Sequence, residues 1–433
     1  MKSKILAIFI ILSLIVSYTI KINATNQKDI LNTEKLGDIN LIDTGEIEDD
    51  DEEVDINEIL ETVADIEELE IESKIALIYD RASGNILYEK NGNKQTHMAS
   101  TTKIMTAIVV LENSNLSDVV TIDSKAAGTG GSRLGLKKND KITVNDLLYG
   151  LMLRSGNDAA VALANYVGGS IEGFASMMNN KAKELGLANS HFVVPHGLDN
   201  DGHYTTAYEL AKMADYALKI DKFKEIVSTK STTISINGYP KAINNTNQLL
   251  GSIEGVYGVK TGFTNGAGRC LVSACERDDL DIITVIIGAD TTNQRTADTI
   301  KLINYTYNNF EIVNIKEIIE NKFYMWEEIN RGRIYVNKGV EKELELLLEE
   351  LPYEKMAVKK EENIEIEVDS LFYLEAPVET NQIIGNVEVK RAGEVIEILD
   401  ITAQKEIRKK EIKDYLIIFA RRLLKGIDIR DIL

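Results

Sequence analysis

The chain has 433 residues, of which 44% are hydrophobic, and it carries a formal net charge of −20 at pH 7. This length exceeds one average domain and indicates two, with separate segments at the ends. The hydrophobic content is enough to bury a sizeable core, so the chain is not disordered throughout. The negative charge is opposite in sign to a nucleic-acid-binding surface, and we predict no nucleic-acid partner.

Residues 1–24 have the pattern of a secretory signal peptide. Two lysines within residues 1–4 precede an almost continuously apolar run over 5–16, and Ile22-Asn23-Ala24 provides a cleavage site. We therefore expect a protein that is secreted across the cytoplasmic membrane and works outside the cytoplasm. An uncleaved N-terminal anchor is the alternative, although the apolar run is short for a membrane span.

Residues 25–73 form a predicted acidic, disordered linker. Between residues 46 and 72 there are 15 acidic residues and no lysine or arginine, which accounts for most of the net charge. Such a run is typical of a solvated, extended spacer, with a calcium or cationic-partner site as the other possibility. Weak helical spacing leaves room for a short acidic helix at Ile56, Leu60, Val63, Ile66 and Leu69.

The globular part begins with strand patterns, continues with helical patterns and returns to strands. Residues 75–79 and 86–88 flank a turn and predict a hairpin. The remaining predicted elements are helices over 144–153, 171–185 and 206–220, strands over 268–274 and 282–288, and a closing helix over 296–310. Strands at both ends with helices between them favour an α/β (α+β) layer fold.

The two cysteines, Cys270 and Cys275, lie in one of these strand-like runs. They are an odd number of residues apart, so their side chains should point to opposite faces of the strand. A disulfide between them is therefore not expected, and we predict two buried thiols.

A serine and a lysine lie one helical turn apart at the start of an apolar segment. Ser100 precedes Lys103 by three residues, and the segment continues with Ile104-Met105-Thr106-Ala107-Ile108. Positions i and i+3 share one face of a helix, so the two side chains can meet without help from a distant segment. An amine without its proton can activate a serine hydroxyl as a nucleophile, and apolar surroundings with a second nearby cation favour that form. The alternative is an ordinary helix start with a surface lysine.

Two further motifs follow in order. Ser155-Gly156-Asn157 lies 55 residues after Ser100, and Lys260-Thr261-Gly262 lies 105 residues after Ser155. Ser-x-Asn also occurs at residues 235–237, where Asn237-Gly238 between two strand-like runs predicts a hairpin turn. The ordered set of three motifs is characteristic of serine β-lactamases and penicillin-binding proteins.

The chain resembles the D-alanyl-D-alanine carboxypeptidases of the low-molecular-weight penicillin-binding protein type, which are serine peptidases. The resemblance extends to residues 185–192 (LGLANSHF), 196–199 (HGLD), 245–250 and 258–264. It implies a β-lactamase/transpeptidase-like catalytic domain over 74–310, with an antiparallel sheet flanked by helices. A small β-rich domain over 311–403 would hold that domain away from the membrane.

The resemblance also implies a two-step acyl transfer. Ser100 attacks the carbonyl of the penultimate D-alanine of a peptidoglycan stem pentapeptide, with Lys103 as the proton acceptor. Ser155 relays a proton, the Asn157 amide holds a substrate backbone group, and Lys260 supplies a second positive charge that helps to keep Lys103 neutral. Penicillin and other β-lactam antibiotics are then expected to acylate Ser100 covalently.

The substrate-binding residues are expected along the strand of the third motif, Lys260, Thr261, Gly262 and Phe263. Lys260 and Gly262 share one face of a strand, and the glycine lets a substrate chain approach its edge. By resemblance, the backbone N–H groups of Ser100 and Phe263 form the oxyanion hole; family members often carry histidine or tyrosine at the Phe263 position. Arg295 matches the family arginine assigned to the substrate's free carboxylate, with a solvated loop charge as the alternative.

The last third of the chain is predicted to contain short alternating strands over 311–403, for example 364–368, 387–390 and 395–398. The tail over 404–433 contains a basic amphipathic helix, with Ile412, Tyr415, Leu416, Phe419 and Leu423 on one stripe. Family members commonly end in a membrane anchor of this kind, so we expect this helix to lie on the outer face of the cytoplasmic membrane. Packing of the helix on its own domain is the alternative.

Three other functions remain open. A class A β-lactamase adds a Glu-x-x-Leu-Asn motif, and the nearest stretch, over 184–189, is one residue out of register. A penicillin sensor or wall-binding protein would acylate without turnover, but sensors need transmembrane helices. A zinc-dependent D,D-peptidase is disfavoured because the histidines lack close His-x-x-x-His spacing, and we predict no metal ion or cofactor. The histidines are His97, His191, His196 and His203.

Overall fold

The computed structural model of the chain describes residues 54–63 and 69–425. The predicted signal peptide, most of the predicted linker and residues 426–433 lie outside the described residues. The helices are α1 (Ile56–Val63), α2 (Lys103–Asn113), α3 (Ser124–Ala127), α4 (Val144–Leu153), α5 (Asn157–Gly168), α6 (Ile171–Glu184), α7 (Ala207–Leu218), α8 (Asp221–Ser228), α9 (Thr292–Asn309), α10 (Ile315–Asn330) and α11 (Ile412–Lys425).

The strands belong to two main sheets and several short pairs. They are β1 (Ile75–Asp80), β2 (Ile86–Lys90), β3 (Val119–Thr121), β4 (Lys141–Thr143), β5 (Ser231–Ile236), β6 (Tyr239–Asn244), β7 (Val256–Thr264), β8 (Gly268–Arg277), β9 (Leu280–Ala289), β10 (Phe310–Val313), β11 (Tyr335–Asn337), β12 (Leu346–Leu348), β13 (Met356–Lys359), β14 (Ile364–Ser370), β15 (Tyr373–Glu375), β16 (Ile383–Arg391) and β17 (Glu394–Ala403).

The catalytic part is built on an antiparallel five-stranded sheet with the order β2-β1-β9-β8-β7. Successive residues of each central strand enter opposite apolar clusters, as Leu77 and Ile78 of β1 do. Such continuously apolar strands are typical of a sheet that is covered on both faces. Helix α2 and helices α4 to α8 contribute to one cluster, and α1 and α9 contribute to the other. The expected layer fold, with an antiparallel sheet flanked by helices, is confirmed.

Helix α2 is the buried helix of this domain. Its residues from Lys103 to Val110 are all buried. A helix that is apolar on every side is stable only inside a core, which is the setting that the Ile-Met-Ala-Val composition of this segment requires. The first residue of this helix, Lys103, is therefore held in the interior from the start.

The two cysteines of β8 lie on opposite faces of the sheet, as predicted. Cys270 belongs to the cluster that contains α2, and Cys275 belongs to the cluster that contains α9. Both side chains are buried. The strand geometry thus separates the two thiols and prevents a bridge between them.

Immediately before the sheet, the structure differs from the extended linker that was predicted over residues 25–73. Residues 56–63 form helix α1, whose Ile59 and Val63 are buried against the outer face of the sheet. Ser73 is also fixed, because its N–H and hydroxyl both donate to Asp298 of α9 at 2.7 and 2.6 Å. The short acidic helix that the sequence left open is therefore present over 56–63, and the expected disorder does not apply to these residues. The apolar side chains are buried while Glu58 and Glu61 remain exposed.

The C-terminal domain contains the predicted strands but also a helix that the sequence analysis missed. Strands β12, β17, β16 and β14 form a four-stranded antiparallel sheet. Helix α10 covers 16 residues of a region predicted as short strands, and it buries Ile315, Ile319 and Phe323. This i, i+4, i+8 spacing and the Asn314 N-cap, which accepts from the Glu317 N–H at 3.1 Å, were signals of a helix.

Hydrogen bonds, in addition to the covalent chain, join the two domains. Strand β10 spans the boundary at residue 310, and its first residue, Phe310, pairs with Lys359 of β13 in the C-terminal domain. The buried carboxylate of Asp80, at the end of β1, accepts hydrogen bonds from the Ala82 N–H at 3.1 Å and from the Ala357 N–H of β13 at 3.0 Å. The C-terminal domain thus supplies a donor to a buried charge of the catalytic sheet.

Helix α11 covers most of the tail for which an amphipathic helix was predicted. Its residues Ile412, Tyr415, Leu416 and Phe419 are all exposed. The apolar stripe therefore does not pack on the C-terminal domain within the described residues. Among those residues, we find no helix with the length and hydropathy that crossing a membrane requires.

Candidate active site

The nucleophile motif forms a tight turn that leads into helix α2. Residues Ala99–Thr102 form a 3₁₀ turn, and Ala99 has a φ of +48°, in the left-handed region. Ser100 is half-buried, whereas Lys103 has 0% of its surface exposed. The Lys103 Nζ atom lies 2.7 Å from Ser100 Oγ. The structure thus brings the two side chains into hydrogen-bond contact, one helical turn apart.

Lys103 has two further oxygen neighbours. Its Nζ donates to Asn157 Oδ1 at 2.8 Å and to the His196 carbonyl at 2.8 Å. A neutral amine has two N–H donors and one lone pair. With both donors directed at these two oxygens, the lone pair of a neutral amine faces the Ser100 hydroxyl, which is the geometry that a general base for this serine requires. The burial of Lys103 contradicts the alternative interpretation of this residue as a surface lysine at a helix start.

The second motif fixes the amide that contacts Lys103. Ser155 lies on the turn between α4 and α5, is 4% exposed and has a φ of +57°. Asn157 is the first residue of α5, and its Nδ2 donates to the Gly130 carbonyl at 2.8 Å. This contact orients the amide so that its oxygen faces Lys103. The structure therefore joins Ser100, Lys103 and Asn157 in one cluster.

The third motif lies on β7, the edge strand of the sheet. Lys260 and Thr261 are each 1% exposed. The Lys260 Nζ donates to the Thr261 carbonyl at 3.0 Å, and the Thr261 hydroxyl lies 2.7 Å from the Thr246 hydroxyl. A Cβ atom at Gly262 would lie 2.8 Å from the Ser100 nitrogen, too close for any side chain. Glycine thus lets the edge strand pass directly beside the nucleophile.

Two predicted binding residues, Phe263 and Arg295, lie near the ends of two separate elements, β7 and α9. Phe263 is half-buried, and the Arg269 guanidinium lies 4.8 Å from its ring centre. Arg295 lies in the first turn of α9 and is only 2% exposed. The alternative interpretation of Arg295 as a solvated loop charge is therefore wrong.

A loop between α6 and α7 completes the cluster, and the sequence analysis gave it no catalytic role. Its His196 supplies the carbonyl that faces Lys103, and its Gly197 packs against the Ala99 carbonyl. Asp199 accepts from the Thr264 hydroxyl at 2.6 Å and from the Gly266 N–H at 2.8 Å. The loop therefore connects the nucleophile turn with the end of β7. The sequence signals for this loop were the two resemblance segments, 185–192 and 196–199.

Two histidines of this loop are buried in the neutral form. Burial lowers the pKa of His196 to about 3. Burial also lowers the pKa of His203 to about 3. In agreement with a neutral ring, His203 Nδ1 accepts a hydrogen bond from the Val193 N–H at 3.1 Å. These rings order the loop and do not titrate near neutral pH.

We expect these histidines to make stability depend on pH. Below pH about 6.5 the unfolded chain takes up a proton at each of these two sites, but the folded chain does so only near pH 3. The free energy of unfolding should therefore fall as the pH decreases through this range. His203→Gln should reduce the fall between pH 7 and pH 5 by about 2 kcal/mol, measured by urea unfolding.

The matched control is His191→Gln, because His191 is exposed. This variant should keep most of the fall that His203→Gln removes, because the buried His203 is still present. An unchanged pH dependence in His203→Gln would contradict a neutral, buried His203.

Comparisons with known proteins agree with this geometry. A family model described as D-alanyl-D-alanine carboxypeptidase matches residues 62–291. The chain is 34% identical over 350 residues to the D-alanyl-D-alanine carboxypeptidase DacF of Bacillus subtilis (strain 168), covering 79% of this chain and 87% of that protein.

Solved structures resemble both domains. Penicillin binding protein 5 from Haemophilus influenzae superposes with a TM-score of 0.65 at 25% identity, covering 79% of this chain and all (100%) of that one. A Streptomyces DD-transpeptidase superposes with a TM-score of 0.54 at 36% identity, covering 56% of this chain and 100% of that one. The chain therefore belongs to the D-alanyl-D-alanine carboxypeptidase family of serine peptidases, among the homologues of low-molecular-weight penicillin-binding proteins.

Proposed function

We propose that this carboxypeptidase removes the terminal D-alanine from peptidoglycan stem pentapeptides through an acyl-enzyme on Ser100. The Ser100 oxygen attacks the carbonyl carbon of the penultimate D-alanine while its proton passes to Lys103. The peptide C–N bond then breaks, and terminal D-alanine leaves with a proton returned from Lys103. Water hydrolyses the ester and releases the shortened peptide. The distance of 2.7 Å between Lys103 Nζ and Ser100 Oγ is the observation that carries this proposal.

The surroundings of Lys103 support its role as the base. Asn157 Oδ1 and the His196 carbonyl accept both N–H groups of a neutral amine, so the lone pair is held towards Ser100. An amine held in this way needs no side-chain movement before it accepts the proton. Ser155 is proposed to relay the proton to the leaving amine, and Lys260 is proposed to contribute the second positive charge.

We propose that the substrate lies along the open edge of β7. Main-chain groups of an edge strand bind an extended peptide by adding it as a further strand. Gly262 lets β7 lie directly against the Ser100 nitrogen, so a peptide bound at this edge would lie next to the nucleophile. Thr261 and Phe263 of the same strand would contact it, with the Ser100 and Phe263 N–H groups as the oxyanion hole.

The alternatives are less well supported. Glu184, the residue nearest to a β-lactamase deacylation motif, ends helix α6 with its side chain 63% exposed and paired with Lys181 at 2.8 Å. An exposed, paired carboxylate is not suited to activate a water at a buried ester. β-Lactams are therefore proposed to act as covalent inhibitors. A sensor that acylates without turnover is distinguished by measuring D-alanine release.

Substitution of Ser100 tests its role as the nucleophile. Ser100→Ala should abolish both covalent labelling by a fluorescent penicillin and release of D-alanine from diacetyl-lysyl-D-alanyl-D-alanine, because the substitution removes the attacking oxygen. Intact-protein mass spectrometry and an assay of free D-alanine measure the two outcomes.

The control for this prediction is Ser235→Ala, which changes the serine of the second Ser-x-Asn match on β5. This variant should keep both activities. Penicillin labelling that persists in Ser100→Ala would contradict the assignment, whereas labelling of the parent chain without D-alanine release would favour the sensor.

Arg295 is proposed to bind the free carboxylate of the substrate. A guanidinium forms paired, charge-assisted hydrogen bonds with a carboxylate, and burial of Arg295 to 2% exposure strengthens such a contact. Arg295→Gln should lower kcat/KM for the D-alanyl-D-alanine tripeptide roughly a hundredfold, because a hydrogen bond to a charged group is lost. The same tripeptide with an amidated C-terminus should be much less affected. Equal losses for the two substrates, measured in steady-state assays, would contradict this role.

We further propose that the protein works outside the cytoplasm and associates with the outer face of the cytoplasmic membrane through α11. The exposed stripe of Ile412, Leu416 and Phe419 supports this, because an apolar helix face of this kind can enter the lipid interface. Helix α11 also carries Lys413 and Arg421, which suit anionic lipid headgroups.

This proposal predicts a difference between two faces of one helix. Leu416→Gln, on the apolar stripe, should weaken binding of the purified chain to phospholipid vesicles roughly tenfold, because one apolar side chain no longer enters the lipid. Ile417→Gln, on the other face, should change binding little. Leu416 and Ile417 are 62% and 49% exposed, so neither change should alter folding. Flotation assays measure both, and equal effects would contradict an interfacial α11.

A further inference from the structure

The peptide unit between Ala99 and Ser100 is held at its carbonyl end. The Thr102 hydroxyl donates to the Ala99 carbonyl at 2.8 Å. A trans peptide is planar, and its C=O and N–H groups point in opposite directions. Fixing the Ala99 carbonyl therefore also fixes the direction of the Ser100 N–H, which lies in the same plane.

This peptide needs such a restraint because its backbone is unusual. Ala99 has a φ of +48°, which a residue with a Cβ atom adopts only when its surroundings impose it. The backbone of Gly197 packs against the same carbonyl, since a Cβ atom at this position would lie 1.9 Å from the Ala99 oxygen. The carbonyl is thus enclosed between the Thr102 hydroxyl and the loop backbone.

His203 determines the direction of the Thr102 hydroxyl. Because His203 Nδ1 accepts from the Val193 N–H at 3.1 Å, the ring proton of the neutral histidine lies on Nε2. Nε2 is 2.8 Å from the Thr102 oxygen and donates to it. The hydroxyl proton is then directed at the Ala99 carbonyl. Thr102 is 0% exposed and His203 is 1% exposed, so these contacts lie in the interior.

The chain of donors runs in one direction and ends at the nucleophile. It leads from the Val193 N–H through His203 and Thr102 to the Ala99 carbonyl. On the substrate side of this peptide unit, the Ser100 nitrogen lies beside Gly262 of the edge strand.

We propose that Thr102 and His203 are positioning residues for the oxyanion hole. They hold the 99–100 peptide in the orientation that presents the Ser100 N–H to the substrate carbonyl. This inference rests on the proposed function, in which the Ser100 N–H is one of the two oxyanion donors. Neither residue contacts the reacting atoms, and His203 does not exchange a proton with substrate.

The test compares Thr102→Val with Thr102→Ser. The first removes the hydroxyl and retains the shape of the side chain, and the second retains the hydroxyl. Loss of a whole oxyanion donor slows reaction by about 10²–10³-fold, so a donor that is only misdirected should slow penicillin acylation by roughly 10–100-fold in Thr102→Val. Thr102→Ser should acylate at close to the parent rate.

A spectroscopic measurement separates positioning from a general loss of structure. A hydrogen bond to the ester carbonyl of the acyl-enzyme lowers its stretching frequency. With ¹³C-labelled penicillin, the infrared ester band of Thr102→Val should therefore lie at a higher frequency than that of the parent chain. Thr101→Val is the matched control, because the Thr101 hydroxyl donates to a different carbonyl, that of Met98. Its ester band should remain at the parent frequency.

If Thr102→Val does not fold, His203→Asn provides the second test. It retains the Thr102 hydroxyl and removes the imidazole donor that directs it, and should shift the ester band in the same direction. A parent-like rate and band in the variant that folds would overturn the inference, as would an equal shift in Thr101→Val. A parent chain that forms no ester on Ser100 would instead overturn the proposed function itself.

Discussion

The site depends on one buried amine whose surroundings are complete before substrate arrives. Lys103 begins a helix that is buried on all sides, and its Nζ meets Ser100 Oγ, Asn157 Oδ1 and the His196 carbonyl at 2.7–2.8 Å. The three oxygens come from three separate segments of the chain. A lysine side chain has four rotatable bonds, and these contacts remove most of that freedom in advance. The position of Lys103 Nζ therefore depends on the core packing of α2, on the placement of α5 and on the loop before α7.

The sequence predicted the local part of this site and could not predict the rest. Ser100 and Lys103 are three residues apart, so helical geometry alone brings them together. Gly262 and His196 lie in the same site, although they follow Ser100 by 162 and 96 residues along the chain. Only the fold determines such approaches, since spacing along the chain carries no information about them. The contact of His196 is also made by its main-chain carbonyl, which no residue type can reveal. Residues 196–199 were noticed as part of the resemblance and were given no catalytic role.

The fold was predicted well where one signal was strong and poorly where two signals disagreed. Helix α4 was predicted with its observed bounds, because its apolar content and the following Ser155 turn agree. The structure adds a Thr143 cap at its start. Residues 56–63 combine an apolar stripe with two carboxylates inside a longer acidic run, so the sequence favoured disorder and left a short helix only as a possibility. In α10, the alternating pattern found further along, over 364–398, was extended to residues that do not share it. Burial at i, i+4 and i+8 against the C-terminal domain decided the outcome there.

The hydrogen bond between Asp80 and Ala357 has a consequence for the boundary between the domains. Residue 310 separates two patterns in the sequence, but the carboxylate of Asp80 is 0% exposed and receives one of its donors from beyond that boundary. A buried acceptor deprived of its donor costs about 1–3 kcal/mol, and more when it is charged. Ala357 also belongs to the apolar cluster that contains α1 and α9. Contacts from the β-rich domain therefore contribute to the free energy of unfolding of the sheet that carries the active site.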